Sequence, residues 1–303
     1  MAREGWSEDN LAARAEGRRQ GWWGTSESAE GFLDQLVTWR ELGYNMAWQR
    51  PGYDRYEALP CWARQTLAHH ATDRPSMAMD VDAYIDSITP ATRIVFVTNP
   101  HSPSGTWMSE ADVRRIVEAA PHAVVVLDEA YVHYSGGPGY IHLAHDYPHL
   151  IVLRTFSKAF GLAGLRIGFG IGAPSTIDAL LAVKPTWNMG QLQIAGGIAA
   201  LDDDEHVDRT VATIIDSRSY VQGLFEQLER FRMVPDSASN FFLIEILDPD
   251  IDSMQVFEGL LERGVIVKDG SVSFRGLDQR FLRADVNLRE HMDRLVAALG
   301  DLP

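Results

Sequence analysis

The sequence predicts an α/β protein with a mostly parallel sheet sandwiched by helices and a smaller α+β domain at the carboxyl end. Short runs of branched apolar residues alternate with helical stretches up to about residue 200, which is the pattern of parallel strands with helical crossovers. Several of these runs end directly in polar residues. From residue 204 a long amphipathic stretch leads into further short strands. We therefore expect a helical segment at 1–20, a large domain at 21–203 and a small domain at 204–303.

Composition and charge limit the kinds of partner. The 303 residues are 46% hydrophobic, which is enough for a sizeable core in two domains. The net charge of −15, without a basic cluster, argues against nucleic-acid and anionic-membrane partners. The sequence has no run of about twenty apolar residues and no apolar amino-terminal signal, so we expect a soluble, cytoplasmic protein. The single cysteine, Cys61, excludes an internal disulfide and a cysteine-rich zinc site.

A glycine and two hydroxyl residues precede the first clearly amphipathic helix. Gly24, Thr25 and Ser26 come before a stretch in which Phe32 and Leu36 belong to an apolar stripe of helical period. Free amides and the positive end of the helix dipole both face a ligand at such a position. The segment therefore predicts an anion site, with an ordinary capping box as the alternative.

Three buried-strand runs follow, and each delivers polar groups at its carboxyl end. The runs are 93–98, 124–127 and 150–153. The first leads into a loop that carries Ser102, the second ends in Asp128, and the third leads to Lys158. Open α/β sheets bind their ligands at the carboxyl ends of the strands. We therefore expect these three side chains at one edge of the sheet.

Lys158 lies among hydroxyls and a guanidinium. Thr155 and Ser157 precede it, and Arg166 follows in a run of small residues that allows close backbone approach. An amine beside such groups suits a phosphorylated aldehyde that is bound covalently to the lysine. A buried carboxylate such as Asp128 would raise the pKa of a basic ligand nitrogen opposite it and keep that nitrogen protonated. A surface lysine and a helix-capping aspartate are the alternative interpretations.

The run from residue 154 to residue 168 resembles the lysine motif of fold-type I pyridoxal-phosphate (PLP) enzymes, and most closely that of histidinol-phosphate aminotransferases. Four segments that precede this run, 24–28, 50–56, 99–105 and 128–131, resemble further family motifs and stand in the family's order. The resemblance spans roughly residues 10 to 300. It implies the PLP-dependent transferase fold, PLP as cofactor and a homodimer.

The resemblance also implies roles for single residues. Tyr53 would stack on the pyridine ring, and Tyr131 would donate to the phenolic oxygen of the cofactor. Ser102 occupies the position of a family asparagine that binds the same oxygen. A serine is shorter and offers a hydroxyl in place of an amide, so this departure concerns the reaction type more than cofactor binding. Gly24, Thr25 and Ser26 would form the phosphate cup together with the groups around Lys158.

The small domain is expected to contribute to substrate binding. We predict strands at 240–244, 264–267 and 281–283 and a helix at 288–299. A bidentate guanidinium is the natural receptor for an α-carboxylate, and Arg283 matches the family's strand arginine. Asn188 matches a polar loop that lines the substrate site, with a helix cap as its alternative. For Arg283 the alternative is a surface strand arginine.

Two polar clusters could be mistaken for metal sites. The acidic run 202–205 is expected to cap and charge the start of a helix. His142, His145 and His149 are spaced like metal ligands around Asp146, but Pro148 would break a helix before His149 joined the same face. We therefore expect no metal.

These observations together predict a PLP-dependent aminotransferase that acts on a small amino acid and a 2-oxo acid by a ping-pong mechanism. The alternatives are a PLP-dependent lyase or decarboxylase of the same fold and a catalytically silent protein. Family members usually carry several dozen further amino-terminal residues that close over the substrate. A short natural variant and a truncated product would both explain the difference.

Overall fold

The computed structural model of the chain describes residues 77–90, 92–184, 188–274 and 277–303. Four of the predicted cofactor residues lie outside this part of the chain: Gly24, Thr25, Ser26 and Tyr53. The helix expected within 1–20 lies outside it as well.

The first sheet is rich in parallel strands. Its order is β1-β2-β3-β4, where β1–β2 and β2–β3 pair in parallel and β3–β4 pair antiparallel. The strands are β1 Ile94–Thr98, β2 Val124–Asp128, β3 Leu150–Thr155 and β4 Gly168–Gly172. The α/β class predicted from the sequence is confirmed. β4 was not predicted because glycine occupies three of its five positions, which lowers strand propensity.

Helices accompany this sheet, and the first three of them contribute side chains to its core. They are α1 Val81–Asp86, α2 Glu110–Ala119, α3 Leu143–Asp146, α4 Pro174–Val183 and α5 Gln191–Leu201. Ser109 caps α2 by accepting from the Asp112 amide. Val113 and Ile116 on α2 are fully buried in the same cluster as Val95 and Val125 of the strands. Burying each of these side chains stabilises the fold by about 1.5–3 kcal/mol.

A long helix, α6 Asp204–Phe225, follows. The Asp203 side chain accepts from the His206 amide, and Asp204 and Glu205 lie in the first turn. Negative charges at a helix amino end are stabilised by the helix dipole. The capping role predicted for this acidic run is therefore confirmed.

The second sheet is antiparallel, with the order β5-β6-β8-β7. Its strands are β5 Phe231–Met233, β6 Phe241–Ile246, β7 Lys268–Asp269 and β8 Phe281–Asp285. The accompanying helices are α7 Ser253–Glu262, α8 Gly270–Ser273 and α9 Arg289–Gly300. One face of α9, with Met292, Leu295 and Leu299, packs with Phe242 and Leu282 in one buried cluster. The division of the chain at residue 203 stays a prediction.

The strand predicted at 264–267 is wrong. Gly264 has φ +70°, and its amide donates to the Leu261 carbonyl at 2.9 Å, while the Val265 amide donates to the Leu260 carbonyl at 2.9 Å. These bonds close the carboxyl end of α7 in the way that a left-handed residue allows. Ile266 is 80% exposed, and strand pairing begins only at Lys268. The first residues of the run 264–267 therefore end helix α7, and the chain enters a strand only after the run.

None of the helices in the described residues combines the length and the apolar character that a membrane crossing requires.

Candidate active site

The carboxyl ends of the first three strands meet at one edge of the first sheet, as predicted. Thr98 lies opposite Asp128 in the β1–β2 register, and Asp128 lies opposite Leu153 in the β2–β3 register. The segment that follows β3 carries Lys158 only a few residues further along. Sheet register therefore brings a carboxylate and an amine to the same side of the molecule.

Lys158 and Tyr131 are in contact. The Nζ atom of Lys158 lies 5.1 Å from the centroid of the Tyr131 ring. Tyr131 precedes a short 3-10 helix, Val132–Ser135, which turns the chain after β2. Both side chains are half-buried. An ammonium over an aromatic face is attracted to the ring quadrupole, so the ring holds the amine near this edge.

A second group gathers hydroxyls and a guanidinium immediately beside Lys158. Thr155 Oγ1 donates to Ser157 Oγ at 2.9 Å, and both side chains are buried. Arg166 Nη1 lies 3.5 Å from Ser157 Oγ and donates to the Ala163 carbonyl at 2.8 Å. Arg166 has φ +54°, a left-handed backbone that is uncommon outside glycine and is often found at functional sites. Hydroxyl and guanidinium donors at one place suit a phosphate group.

Asp128 and the loop with Ser102 are tied together by Asn99. The Asn99 amide donates to the Asp128 carbonyl at 2.9 Å. The buried Asn99 side chain accepts from the Met108 amide at 2.8 Å and so closes the base of the loop. One Asp128 carboxylate oxygen accepts from the Ala130 amide at 2.9 Å. Ser102 lies half-buried on this loop, so it stands at the same sheet edge as Asp128.

Arg283 is buried with an unsatisfied donor. Its side chain is 10% exposed, and Cζ lies 4.5 Å from the Phe241 ring centroid and 5.3 Å from that of Phe274. One terminal nitrogen donates to Asp285 at 3.3 Å, while Nε is buried and has no hydrogen-bond partner in the described structure. A buried donor of this kind calls for a ligand. A carboxylate that accepts from the guanidinium edge would satisfy it.

Asn188 is not brought into this group. Its Oδ1 accepts from Lys184 Nζ at 3.2 Å, close to the amino end of α5. Within the part of the chain that the structure describes, no contact joins Asn188 to Lys158 or Arg283. Its substrate role stays a prediction.

Lys268 is a residue of this region that sequence reasoning missed. It lies opposite Arg283 in the β7–β8 register. Partial desolvation of its amine, together with repulsion from Arg283 and Lys158, lowers the pKa of Lys268 below its ordinary value, although the residue as a whole is exposed. The whole chain has only three lysines, and this scarcity could have drawn attention to Lys268.

A buried ion pair lies beneath the site and was also missed. Glu129 is fully buried, and Arg154 donates to one of its carboxylate oxygens from Nε at 2.9 Å and from Nη2 at 2.8 Å. The other oxygen accepts from the Tyr140 amide at 2.5 Å, and Arg154 also donates to the Pro138 carbonyl at 2.6 Å. The pair therefore joins the segment after β2 and the end of β3 to the loop that precedes α3.

Replacing Glu129 with alanine should cost about 3–5 kcal/mol of unfolding free energy, because the charge of Arg154 would stay buried without a partner. Denaturant titration measures this loss. Asp216→Ala is the matched control, because it breaks an exposed pair with Arg289 in which both side chains are more than half exposed. We expect a much smaller loss there. Equal losses in the two variants would contradict the role of the buried pair.

The histidines make ordinary contacts. His142 Nε2 lies 3.2 Å from a Glu110 carboxylate oxygen, and His149 Nε2 lies 3.1 Å from the Val117 carbonyl oxygen. Across the described ranges, no group of three or more histidine, cysteine, aspartate or glutamate side chains is arranged to hold a metal ion.

Comparison with known proteins gives consistent matches. The sequence model of the family Aminotransferase class I and II matches residues 39–299. The histidinol-phosphate aminotransferase of Methanothermobacter thermautotrophicus is 34% identical over 281 residues, which cover 91% of this chain and 73% of that protein. The enzyme of the same name from Anaeromyxobacter sp. is 37% identical over 225 residues, which cover 73% of this chain but only 60% of that protein.

Solved structures agree with these matches. The crystal structure of histidinol-phosphate aminotransferase from Sinorhizobium meliloti in complex with pyridoxal-5'-phosphate superposes with a TM-score of 0.64 at 27% identity. The match covers 74% of this chain and 61% of that one.

Proposed function

We propose that this chain, which belongs to the class I and II aminotransferase family, transfers an amino group between a small amino acid and a 2-oxo acid with PLP as its cofactor. The single observation that carries the proposal is the Lys158 amine over the Tyr131 ring, beside the buried Ser157 hydroxyl and at the same sheet edge as Asp128. A ping-pong course follows from using one amine-accepting cofactor for two substrates in turn.

The residues present fit this cofactor. Lys158 offers an amine for the aldehyde, and Asp128 offers a carboxylate for the ring nitrogen. Thr155, Ser157 and Arg166 offer donors for the phosphate, and the Arg283 Nε has no acceptor within the described part of the chain. When bound, PLP supplies an electron sink that stabilises negative charge on the carbon beside the amino group.

Each side chain then has a defined task. Lys158 would hold the cofactor through its amine and would move a proton to and from the substrate Cα as general base and acid. Tyr131 would keep the lysine amine near its ring, and its hydroxyl would donate a hydrogen bond to the phenolic oxygen of the cofactor. Arg283 would bind the substrate carboxylate and so orient the substrate Cα toward the lysine amine.

Incubation with PLP and a panel of amines tests the proposal. The panel holds common amino acids and L-histidinol phosphate, the substrate in the names of the relatives, with 2-oxoglutarate as acceptor. Formation of an oxo product with stoichiometric glutamate would support transamination. Formation of carbon dioxide and an amine would show decarboxylation in place of transamination. The absence of any product with every donor would favour a catalytically silent protein.

We include a homodimer and a cytoplasmic location in the proposal. The family resemblance supports the homodimer, and the location rests on the expectation from the sequence alone. Sedimentation equilibrium of the purified chain would distinguish a dimer from a monomer.

Removing Arg166 should weaken PLP binding about tenfold more than removing Ser157, because a hydrogen bond from a charged donor to phosphate is about twice as strong as a neutral one. Equilibrium dialysis of Arg166→Ala and Ser157→Ala against PLP measures both affinities directly. Unchanged PLP affinity in both variants would contradict the assignment of Arg166 and Ser157 to the phosphate.

A further inference from the structure

Four side chains form one continuous stack between the two sheets. Arg283 Cζ lies 4.5 Å from the Phe241 ring centroid. The Phe241 ring meets the Tyr131 ring edge to face, with centroids 4.9 Å apart and planes at 89°. Lys158 Nζ lies 5.1 Å from the centroid of the same Tyr131 ring. Phe241 thus lies between the arginine of the second sheet and the tyrosine that follows β2 in the first.

The stack holds Arg283 without using its donors. A hydrogen-bonded partner would occupy N–H groups, whereas an aromatic ring contacts the flat face of the guanidinium and leaves its edge open. Nε of Arg283 is indeed buried without a partner among the residues that the structure describes. The Phe241 ring is only 1% exposed, so close packing fixes its orientation. A fixed ring therefore fixes the plane in which the guanidinium presents its donors.

The backbone around Phe241 is clamped to the first sheet. Arg218 Nη1 donates to the Ser239 carbonyl at 2.7 Å and to the Tyr134 carbonyl at 3.1 Å. These carbonyls belong to the segments that carry Phe241 and Tyr131. The Ala238 amide also donates to the Gly105 carbonyl at 2.7 Å. A Cβ at Gly105 would collide with the Ser237 side chain. The segment before Phe241 thus has little freedom to move away from Tyr131.

We propose that Phe241 is a positioning residue that aligns the Arg283 guanidinium with the Tyr131 and Lys158 pair. The inference rests on the proposed function, in which Arg283 binds the substrate carboxylate. Phe241 itself touches no reacting atom. It sets the plane of the guanidinium, and through Tyr131 it sets the distance between the bound carboxylate and the lysine amine.

The chain offers a matched control in the next residue. Phe242 is also fully buried on β6, but its ring meets Phe225 at 5.7 Å on the other face of the strand, in a buried cluster that does not include Phe241. Phe241→Leu and Phe242→Leu remove the same atoms from the same strand. Only the first removes one of the two rings that contact Arg283, and the more distant Phe274 ring stays in place in both variants.

The experiment follows the Nε–H resonance of Arg283 in the ¹⁵N-labelled, PLP-loaded protein while acetate is added as a carboxylate probe. Arg283→Lys identifies the resonance by its disappearance. In wild type and Phe242→Leu we expect the same upfield ring-current position and the same acetate Kd. In Phe241→Leu the resonance should move downfield, the acetate Kd should rise about tenfold, and KM for the amino donor should rise with little change in kcat.

Several outcomes separate this inference from the proposed function. Equal resonance positions and equal acetate affinities in the two leucine variants overturn the inference, even if transamination is found. A selective effect of Phe241→Leu on acetate binding, without transfer to any acceptor, upholds the inference and overturns the function. If Phe241→Leu does not fold, Phe241→Met takes its place, because methionine fills most of the volume without a ring.

Discussion

Replacing Lys158 with alanine is expected to abolish covalent attachment of PLP and to remove nearly all turnover. The general acid–base step alone is worth about 10²- to 10⁴-fold in rate, and the alanine variant loses the attachment of the cofactor as well. The variant should still fold, because the Lys158 side chain is half-buried and Tyr131, which it contacts, stays packed against Phe241.

Borohydride reduction followed by peptide mass spectrometry measures the attachment. The assignment is sharp in this chain, because its only lysines are Lys158, Lys184 and Lys268. Lys184→Ala is the matched control, since Lys184 is exposed and binds Asn188 away from the Lys158 group. Phosphopyridoxyl on Lys184 or Lys268 in the wild-type protein would refute the role of Lys158.

Replacing Asp128 with asparagine is expected to lower turnover by about 10²- to 10³-fold while PLP remains bound, which is the usual cost of removing one preorganised electrostatic partner. A neutral amide cannot keep the ring nitrogen of the cofactor protonated. The fold should survive, because an asparagine Oδ1 can still accept the hydrogen bond from the Ala130 amide that Asp128 accepts at 2.9 Å.

Steady-state rates and the cofactor absorbance of Asp128→Asn, compared with wild type, measure both parts of this expectation. Asp178→Asn serves as control, because Asp178 lies exposed on α4 and makes the same change of charge. If Asp128→Asn were as active as Asp178→Asn, Asp128 would be only a turn residue that binds the Ala130 amide.

The sequence predicted the edge at which the site lies, for a simple physical reason. A branched apolar run that ends in a polar residue fixes both a buried strand and the place where its first polar side chain emerges. Parallel pairing then brings Asp128 and the segment of Lys158 together without any further information. Tyr131 is only three residues beyond Asp128, so the turn after β2 keeps it at the same edge.

Contacts that depend on register or on a second sheet were not predictable in this way. Glu129 and Arg154 are 25 residues apart, and no local pattern distinguishes their pair from two surface charges. In the sequence, Phe241 cannot be distinguished from the other apolar residues of its strand, although its ring contacts Tyr131 and Arg283. The strand predicted at 264–267 was wrong because the hydrophobic pattern does not show that Gly264 ends helix α7 before any strand begins.

The buried pair of Glu129 and Arg154 also limits how this protein can evolve. A change at either position alone leaves a charge stranded in the interior, whereas a joint change to two well-packed apolar residues can be neutral or even stabilising. Passage between these two solutions requires an unstable single-substitution intermediate. The two positions should therefore behave as one inherited unit, and lineages should differ at both of them or at neither.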